Sequence, residues 1–318
     1  MFQGMHYVYE VYKEMSFSKA ARNLFISQPS LSAAVKKAEK QIGFPIFDRS
    51  SNHIQLTELG KEYIRSIEII MDVETGFQNY INDMKELKSG TIAIGGTNLF
   101  ASYVLPPLLS RFTEQYPQVQ VDLVEATTSQ LTDRLFSGSL DLLIDNKNMD
   151  PAVYQKSFFC EEHLLLAVPI RLAVNEKMKN YALTASDIRE NRHLNSRIPP
   201  VPLENFQNES FLLLKSGNDT RSRADRICHN AHVLPKIKLE LDQQITAYNL
   251  SRYGMGISFC SDTLVRHVPD DEGLVYYKLD HKDALREVNF YYKRGRYMPR
   301  VVSTFLEMIY KMIVINNL

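Results

Sequence analysis

The 318 residues carry 37 basic and 37 acidic side chains, so no global field singles out nucleic acid or a membrane as partner. With 44% hydrophobic and 23% charged residues, the chain has ample core for two or three globular domains. Three scattered cysteines (Cys160, Cys228, Cys260) exclude a disulfide framework, and the absence of a signal-peptide pattern or a run of about 18 apolar residues points to a cytoplasmic protein that does not cross a membrane.

The distribution of charge says more than its total. From Lys19 to Arg49, six basic residues (Lys19, Arg22, Lys36, Lys37, Lys40, Arg49) stand against two acidic ones (Glu39, Asp48), a local excess that attracts phosphates. A merely solvated basic helix face would show the same charge.

Val8, Val11, Tyr12 and Met15 follow a helical spacing. Ser18 is a good N-cap for a second helix ending near Leu24, where Ala20 and Ala21 permit close packing. Phe25-Ile26-Ser27 then reads as a tight connection, with Ser27 capping a third helix and Pro29 in its first turn. Leu31, Val35, Ala38 and Ile42 form one buried stripe, while Gln28, Ser32, Ala33, Lys36 and Lys40 project from the opposite face. Gly43 stops the helix.

This is the pattern of a helix-turn-helix, although an ordinary three-helix bundle shares it. The second helix of such a unit reads bases with its N-terminal residues. Gln28 is suited to bidentate contact with adenine, Ser32 to a base edge, and Lys36 to phosphate. Phe44-Pro45-Ile46-Phe47 and Ile54-Gln55-Leu56 read as two short strands of a wing, with Arg49 placed to reach phosphate or the minor groove.

The wording is more specific than the pattern. Ser16-Phe17-Ser18-Lys19-Ala20-Ala21-Arg22-Asn23-Leu24, Ser27-Gln28-Pro29-Ser30-Leu31-Ser32, Glu39, Gly43, Pro45-Ile46-Phe47-Asp48-Arg49 and Leu56-Thr57-Glu58-Leu59-Gly60 closely resemble the DNA-binding domain of LysR-type regulators. The resemblance implies a DNA-binding set of Ser27, Gln28, Pro29, Ser30, Ser32, Lys36 and Arg49. Gln28, Pro29 and Ser32 would contact bases, and Lys36 and Arg49 the backbone. Ala33 stands where the family often has a basic residue, and Ala38 where it usually has leucine.

From Glu58 to about Lys88 there is no proline, and Tyr63, Ile67, Ile70, Glu74, Phe77, Ile81 and Met84 make a heptad seam along about 30 Å of helix. Packing on its own domain is one use of such a helix. Pairing with a second copy is the other, and it would supply two recognition helices to a two-fold site.

After Ser89-Gly90 the pattern changes to alternating strands and helices, which predicts parallel α/β structure. Strands are expected at Thr91–Ile94, Val119–Val124 and Leu140–Ile144, with helices at Val104–Tyr116 and Gln130–Phe136 between them. A second series follows: strands at His163–Val168, Phe211–Leu214, Ile237–Leu241 and Gly256–Phe259, and helices near Ala185–Arg189, at Asp219–Ala231 and at Gln243–Tyr253. Strands at Val275–Tyr277 and Val288–Tyr292 are expected to rejoin the first series, before a last helix at Met298–Ile315.

Four loops rich in hydroxyl and amide groups fall at carboxyl ends of strands, where open α/β sheets bind ligands. They are Gly95-Gly96-Thr97-Asn98, Ala126-Thr127-Thr128-Ser129, Asp145-Asn146 and Ser216-Gly217-Asn218-Asp219. Any one of these residues can equally be a simple helix cap. The order, with Leu105-Pro106, Phe112, Tyr116-Pro117, Gly138, Leu140-Asp141 and Gly254-Met255-Gly256-Ile257, resembles the family's effector domain, which is similar to type 2 periplasmic solute-binding proteins. By position, Thr97, Asn98, Thr128 and Asn146 would line the effector site from the first lobe, and Asn218 and Gln243 from the second. Arg221 could pair with an effector carboxylate.

The expectation is an α+β multidomain chain: a winged helix-turn-helix (1–60), a linker and dimerisation helix (61–88), and a two-lobed α/β effector domain (89–318). Lobe I spans about 89–161 and 268–318, and lobe II about 162–267. No catalytic residue, metal ligand set or cofactor is expected. Gly254-Met255-Gly256 lacks a third glycine, no Gly-x-Ser-x-Gly occurs, and Cys228, His229 and His232 lack a fourth ligand. The expected partners are promoter DNA, a small-molecule effector and further copies of the chain, as a homotetramer built from dimers. The alternative is a cytoplasmic α/β solute-binding protein or enzyme whose helical N-terminus does not bind DNA.

Overall fold

Helix α1 (Met5–Glu14) buries Met5, Val8 and Val11 against α2 (Phe17–Asn23) and α3 (Gln28–Ile42) in the computed structural model, which describes residues 2–48, 54–84, 90–269 and 272–316. Helix α2 is capped by Ser16, whose hydroxyl accepts the Lys19 N–H, and not by Ser18. The helix starts two residues earlier than expected because Phe17 is drawn into the core as its first residue. Leu31, Val35 and Ala38 of α3 are buried, as their spacing requires. Gly43 ends α3 at φ 87°, a left-handed conformation that glycine adopts without steric cost.

Strands β1 (Phe47–Asp48) and β2 (Gln55–Leu56) pair antiparallel as a wing. The Glu39 carboxylate accepts the N–H groups of Ile46 and Phe47, tying the wing to α3. Thr57 donates to the Pro45 carbonyl and accepts the Gly60 N–H at the start of α4 (Glu58–Met84). A Cβ on Gly60 would run into the Ile46 carbonyl oxygen, which explains glycine there.

Helix α4 has two apolar faces. Tyr63, Ile64 and Ile67 complete the three-helix core, with Ile70 and Met71 half-buried against it. These are the first members of the expected seam, so the seam does not run along one face: its early turns cover their own domain. The exposed apolar row is Ile69, Val73 (69% exposed), Phe77 (65%) and Tyr80, with Glu74 exposed beside it. The side chain of Met84 lies outside the described residues.

The remaining elements, in chain order, are β3 (Gly90–Gly96), α5 (Leu105–Gln115), β4 (Val119–Glu125), α6 (Thr128–Ser137), β5 (Leu142–Asp145), β6 (Tyr154–Pro169), α7 (Val174–Lys177), α8 (Ala185–Arg189), β7 (Ser210–Leu214), α9 (Asp219–Asn230), β8 (Lys236–Leu241), α10 (Gln244–Arg252), β9 (Ile257–Ser261), α11 (Asp262–His267), β10 (Leu274–Lys278), β11 (Leu285–Lys293) and α12 (Arg300–Asn316). By packing, the chain divides into two units: Met1–Leu87 with Asp133–Ser139 and Gly295–Pro299, and Lys88–Thr132 with Leu140–Arg294 and Arg300–Leu318.

The second unit has two lobes. In the first, β4, β3 and β5 are parallel, β11 is antiparallel to β5, and the N-terminal part of β6 pairs with β11. In the second, β8, β7 and β9 are parallel, and Leu164–Ala167 of β6 pairs antiparallel with β9. Strand β10 pairs with Leu165–Pro169 of β6 and so belongs to the second lobe, a correction to the expected boundary at 268. Its Tyr276 and Tyr277 are buried in second-lobe clusters, so of these two late strands it is β11 that returns to the first lobe. Phe112, Phe290 and Phe305 meet edge to face at 5.1 and 5.8 Å in the first-lobe core. No helix among the described residues is long and apolar enough to cross a membrane.

Leu31→Ala should destabilise the first unit by about 2–5 kcal/mol, because a buried leucine is removed where α1, α2 and α3 meet. Denaturant unfolding followed by hydrogen exchange resolves the two units, and unchanged protection of α1 to α3 would contradict this packing.

Candidate functional sites: a DNA-facing helix and a cleft between lobes

At the start of α3 the expected DNA-binding residues divide by what their side chains do. Ser27 is the N-cap: its hydroxyl accepts the Ser30 N–H and shares a 2.8 Å bond with the Ser30 hydroxyl. Pro29 sits in the first turn, where a missing N–H costs nothing. Gln28 is exposed, and its Oε1 accepts from Ser18 Oγ at 3.2 Å, which orients the amide. Ser32 is half-buried and Lys36 exposed on the side of α3 opposite the core. Arg49 lies outside the described residues. Phe25, treated in the sequence only as a connector, is 96% exposed with φ 53°, an uncommon conformation for a bulky residue.

In the second unit, Thr97, Asn98, Thr128, Asn146, Asn218 and Gln243 line one cleft of about 310 Å³. Its walls are the starts of α6, α9 and α10 and the loop after β3, so the partial positive charge of three helix N-termini lies at the cleft. Most of these side chains are already engaged. Asn98 donates to Glu125, Asn146 to Glu162, and Thr128 to Asp145 at 2.9 Å, while Asn218 caps α9 by accepting the Thr220 N–H. Gln243 occupies the N-cap of α10 without making a side-chain cap. Among the described residues, the Thr97 hydroxyl and the Gln243 amide have no hydrogen-bond partner.

Asp145 is buried at the cleft wall, and burial pushes its pKa up. Hydrogen bonds from the Lys147 N–H and Thr128, together with the Arg286 charge, offset part of that rise. Arg286 itself lines the cleft and is bonded to Glu162 at 2.6 Å, Asp219 at 2.9 Å and Thr220 at 3.0 Å. Sequence reasoning missed it because the expected strand began at Val288, three residues after the strand's start at Leu285. Arg221, the arginine chosen instead, is spent on Asp225, Glu240 and the Leu214 carbonyl and does not line the cleft.

Two other groups of reactive side chains lie away from the cleft. His163, His193 and Asp262 bring their polar atoms within 4.8 Å of one another. Asp262 also accepts from Arg266 at 3.1 Å and from the His163 N–H, so the group ties β6 to α11 as a hydrogen-bonded cluster. Burial alone would raise the Asp262 carboxyl, but bonds from His163 and His193, with Arg266 beside it, hold it well below the usual range. Burial pushes the Cys228 thiol up to about 12 and raises Cys160 and Cys260 as well, which makes all three poor nucleophiles.

Residues 2–61 match the family model of the bacterial regulatory helix-turn-helix protein, lysR family, and residues 85–312 match the LysR substrate binding domain. The chain belongs to the LysR family. It is 28% identical to an uncharacterised HTH-type transcriptional regulator of Bacillus subtilis, YcgK, over 96% of this chain and 92% of that one. A probable RuBisCO transcriptional regulator of Gracilaria tenuistipitata is 24% identical over 96% and 94%. Among solved structures, a full-length OxyR of Pseudomonas aeruginosa superposes with TM-score 0.71 at 21% identity, over 97% and 94% of the two chains. Full-length CbnR in complex with its target DNA superposes with TM-score 0.64 at 16% identity, over 98% and 99%.

This LysR-family chain is therefore a DNA-binding transcription regulator with an effector-binding C-terminal domain, and not an enzyme. Its cleft rests on polar contacts that respond to pH. Thr128→Val removes a donor from buried Asp145 and raises that carboxyl's pKa further. The variant should lose about 1–3 kcal/mol of stability where Asp145 is ionised, and less at lower pH where the proton is already bound. Thermal midpoints across pH check this, and a loss that grows on acidification would contradict it.

Proposed function

We propose that this regulator reads promoter DNA with Ser27, Gln28, Pro29, Ser30, Ser32, Lys36 and Arg49, and that an effector in the cleft controls it through Thr97, Asn98, Thr128, Asn146, Asn218 and Gln243. Residues 1–60 serve as the winged helix-turn-helix, 61–88 as the linker and 89–318 as the effector domain. The observation that carries the DNA reading is the exposed Gln28 amide at the capped start of a helix whose other face is core. An amide held there can make the paired bonds that distinguish adenine in the major groove.

The assembly we propose is a homotetramer built from dimers. Its support is the row of Ile69, Val73, Phe77 and Tyr80, which recurs along one side of α4 and is left exposed by the chain's own core. A second copy of α4 would cover it and bring two recognition helices to a two-fold operator. Effector control then requires that the ligand bind one arrangement of the two lobes more tightly than another.

Gln28→Ala should weaken specific operator binding by about 1–3 kcal/mol, with little change in affinity for unrelated DNA or in stability. Gel-shift titration at fixed salt measures both, and an unchanged specific affinity would remove Gln28 from the reading face. Phe77→Asp should cost the paired state about 3–5 kcal/mol, the scale of losing a buried phenylalanine. Sedimentation velocity showing an unchanged oligomer would place the pairing surface elsewhere.

A further inference from the structure

One guanidinium at the cleft wall has an edge that no described residue uses. The Arg286 side chain is only 2% exposed, its Nε donates to Glu162, and its Nη1 donates to Asp219 and Thr220. Among the described residues no acceptor bonds Nη2, so its two N–H groups are unspent on a desolvated cation that lines both this cleft and a second hollow formed with Lys156, Glu161, Arg223 and Glu287. A planar pair of this kind matches the oxygens of a carboxylate or phosphate and forms stronger bonds to them than to neutral acceptors.

The rest of the cleft points the same way. Its acids are already partnered: Asp145 by Thr128 and the Lys147 N–H, Asp219 by Arg223 and Arg286, and Asp242 by Lys215. Its unspent groups are mostly donors. Among the described residues the Lys147 ammonium has no partner, Gln244 Nε2 is buried without one, and α10 begins with no side-chain cap. The orphaned acceptor Glu162 Oε1 does not line the cleft.

We propose that Arg286 Nη2 receives an oxyanion group of the cleft ligand, which makes the effector a small acid bearing a carboxylate or phosphate. The proposal rests on the cleft being the effector site. An anion bound there shares the guanidinium with Asp219, the first residue of α9, and so loosens or tightens that helix start as it enters.

The test titrates the full chain with malonate, succinate and inorganic phosphate, and with neutral succinamide, by calorimetry at constant ionic strength. Malonate or succinate binding indicates a carboxylate ligand, and phosphate binding a phosphate one. Succinamide should bind neither tightly nor competitively. Arg286→Lys keeps a cation beside Glu162 and Asp219 but lacks Nη2, and should weaken anion binding about 10- to 100-fold. If that variant does not fold, a crystal structure of the wild-type chain with the bound anion decides, and an anion oxygen is expected within hydrogen-bonding distance of Nη2.

Anion binding unaltered by Arg286→Lys, or an anion seated in the cleft away from Nη2, overturns the assignment of Arg286 and leaves the cleft reading standing. Succinamide binding as well as succinate overturns the ligand class. If none of the anions binds, the proposal falls. The cleft reading falls with it only if metabolites from cell extract also leave the cleft's amide exchange unchanged.

Discussion

Two antiparallel strands hold the second unit together, because β6 and β11 are paired along nine positions with one bulge between Val288 and Asn289. Their register sets Arg286 opposite Glu162 and places both beside the start of α9. A buried ion pair of this kind contributes little net stability, since desolvation consumes most of its attraction, yet removing one partner is costly. Its effect here is to orient a cation at the cleft, where the carboxyl end of β5 and the N-termini of α6, α9 and α10 converge. The remaining cleft residues depend on that register, including Asn146, which bonds the same Glu162 carboxylate.

The first unit solves a different problem: a short helix must present polar side chains while staying rigid. Capping by Ser27, the Glu39 bonds to the wing, and the close approach of Gly60 to the Ile46 carbonyl each fix one end of the recognition element. Rigidity matters because a base contact made by a wandering side chain loses its affinity to the entropy of ordering it. The Gln28 amide is held by the Ser18 hydroxyl.

Much of this was legible in the sequence where one periodicity dominated. The stripe of Leu31, Val35 and Ala38 and the alternation of strands and helices after Gly90 have single structural solutions. The cleft residues were legible as loop positions at strand ends, although their existing partners were not. Three features escaped for physical reasons. Helix α4 carries two overlapping apolar rows, so a heptad count merges the face that packs inward at Tyr63 and Ile67 with the one left exposed at Val73 and Phe77. Strand β6 extends back to Tyr154 through Gln155, Lys156, Glu161 and Glu162, whose polarity hides a strand shared between two lobes. Arg286 could not be ranked above Arg221 without knowing which strand end lies beneath α9 and which arginine is saturated by its own helix and β8.

The central claim is that the four polar loops act as one ligand site spanning both lobes. Amide hydrogen exchange on the full chain, with and without the small-molecule pool of a cell extract, tests it most directly. Slower exchange should appear together at the loop after β3 and at the starts of α6, α9 and α10, in one concentration-dependent step. Protection confined to a single lobe, or arising only outside these segments, would contradict it.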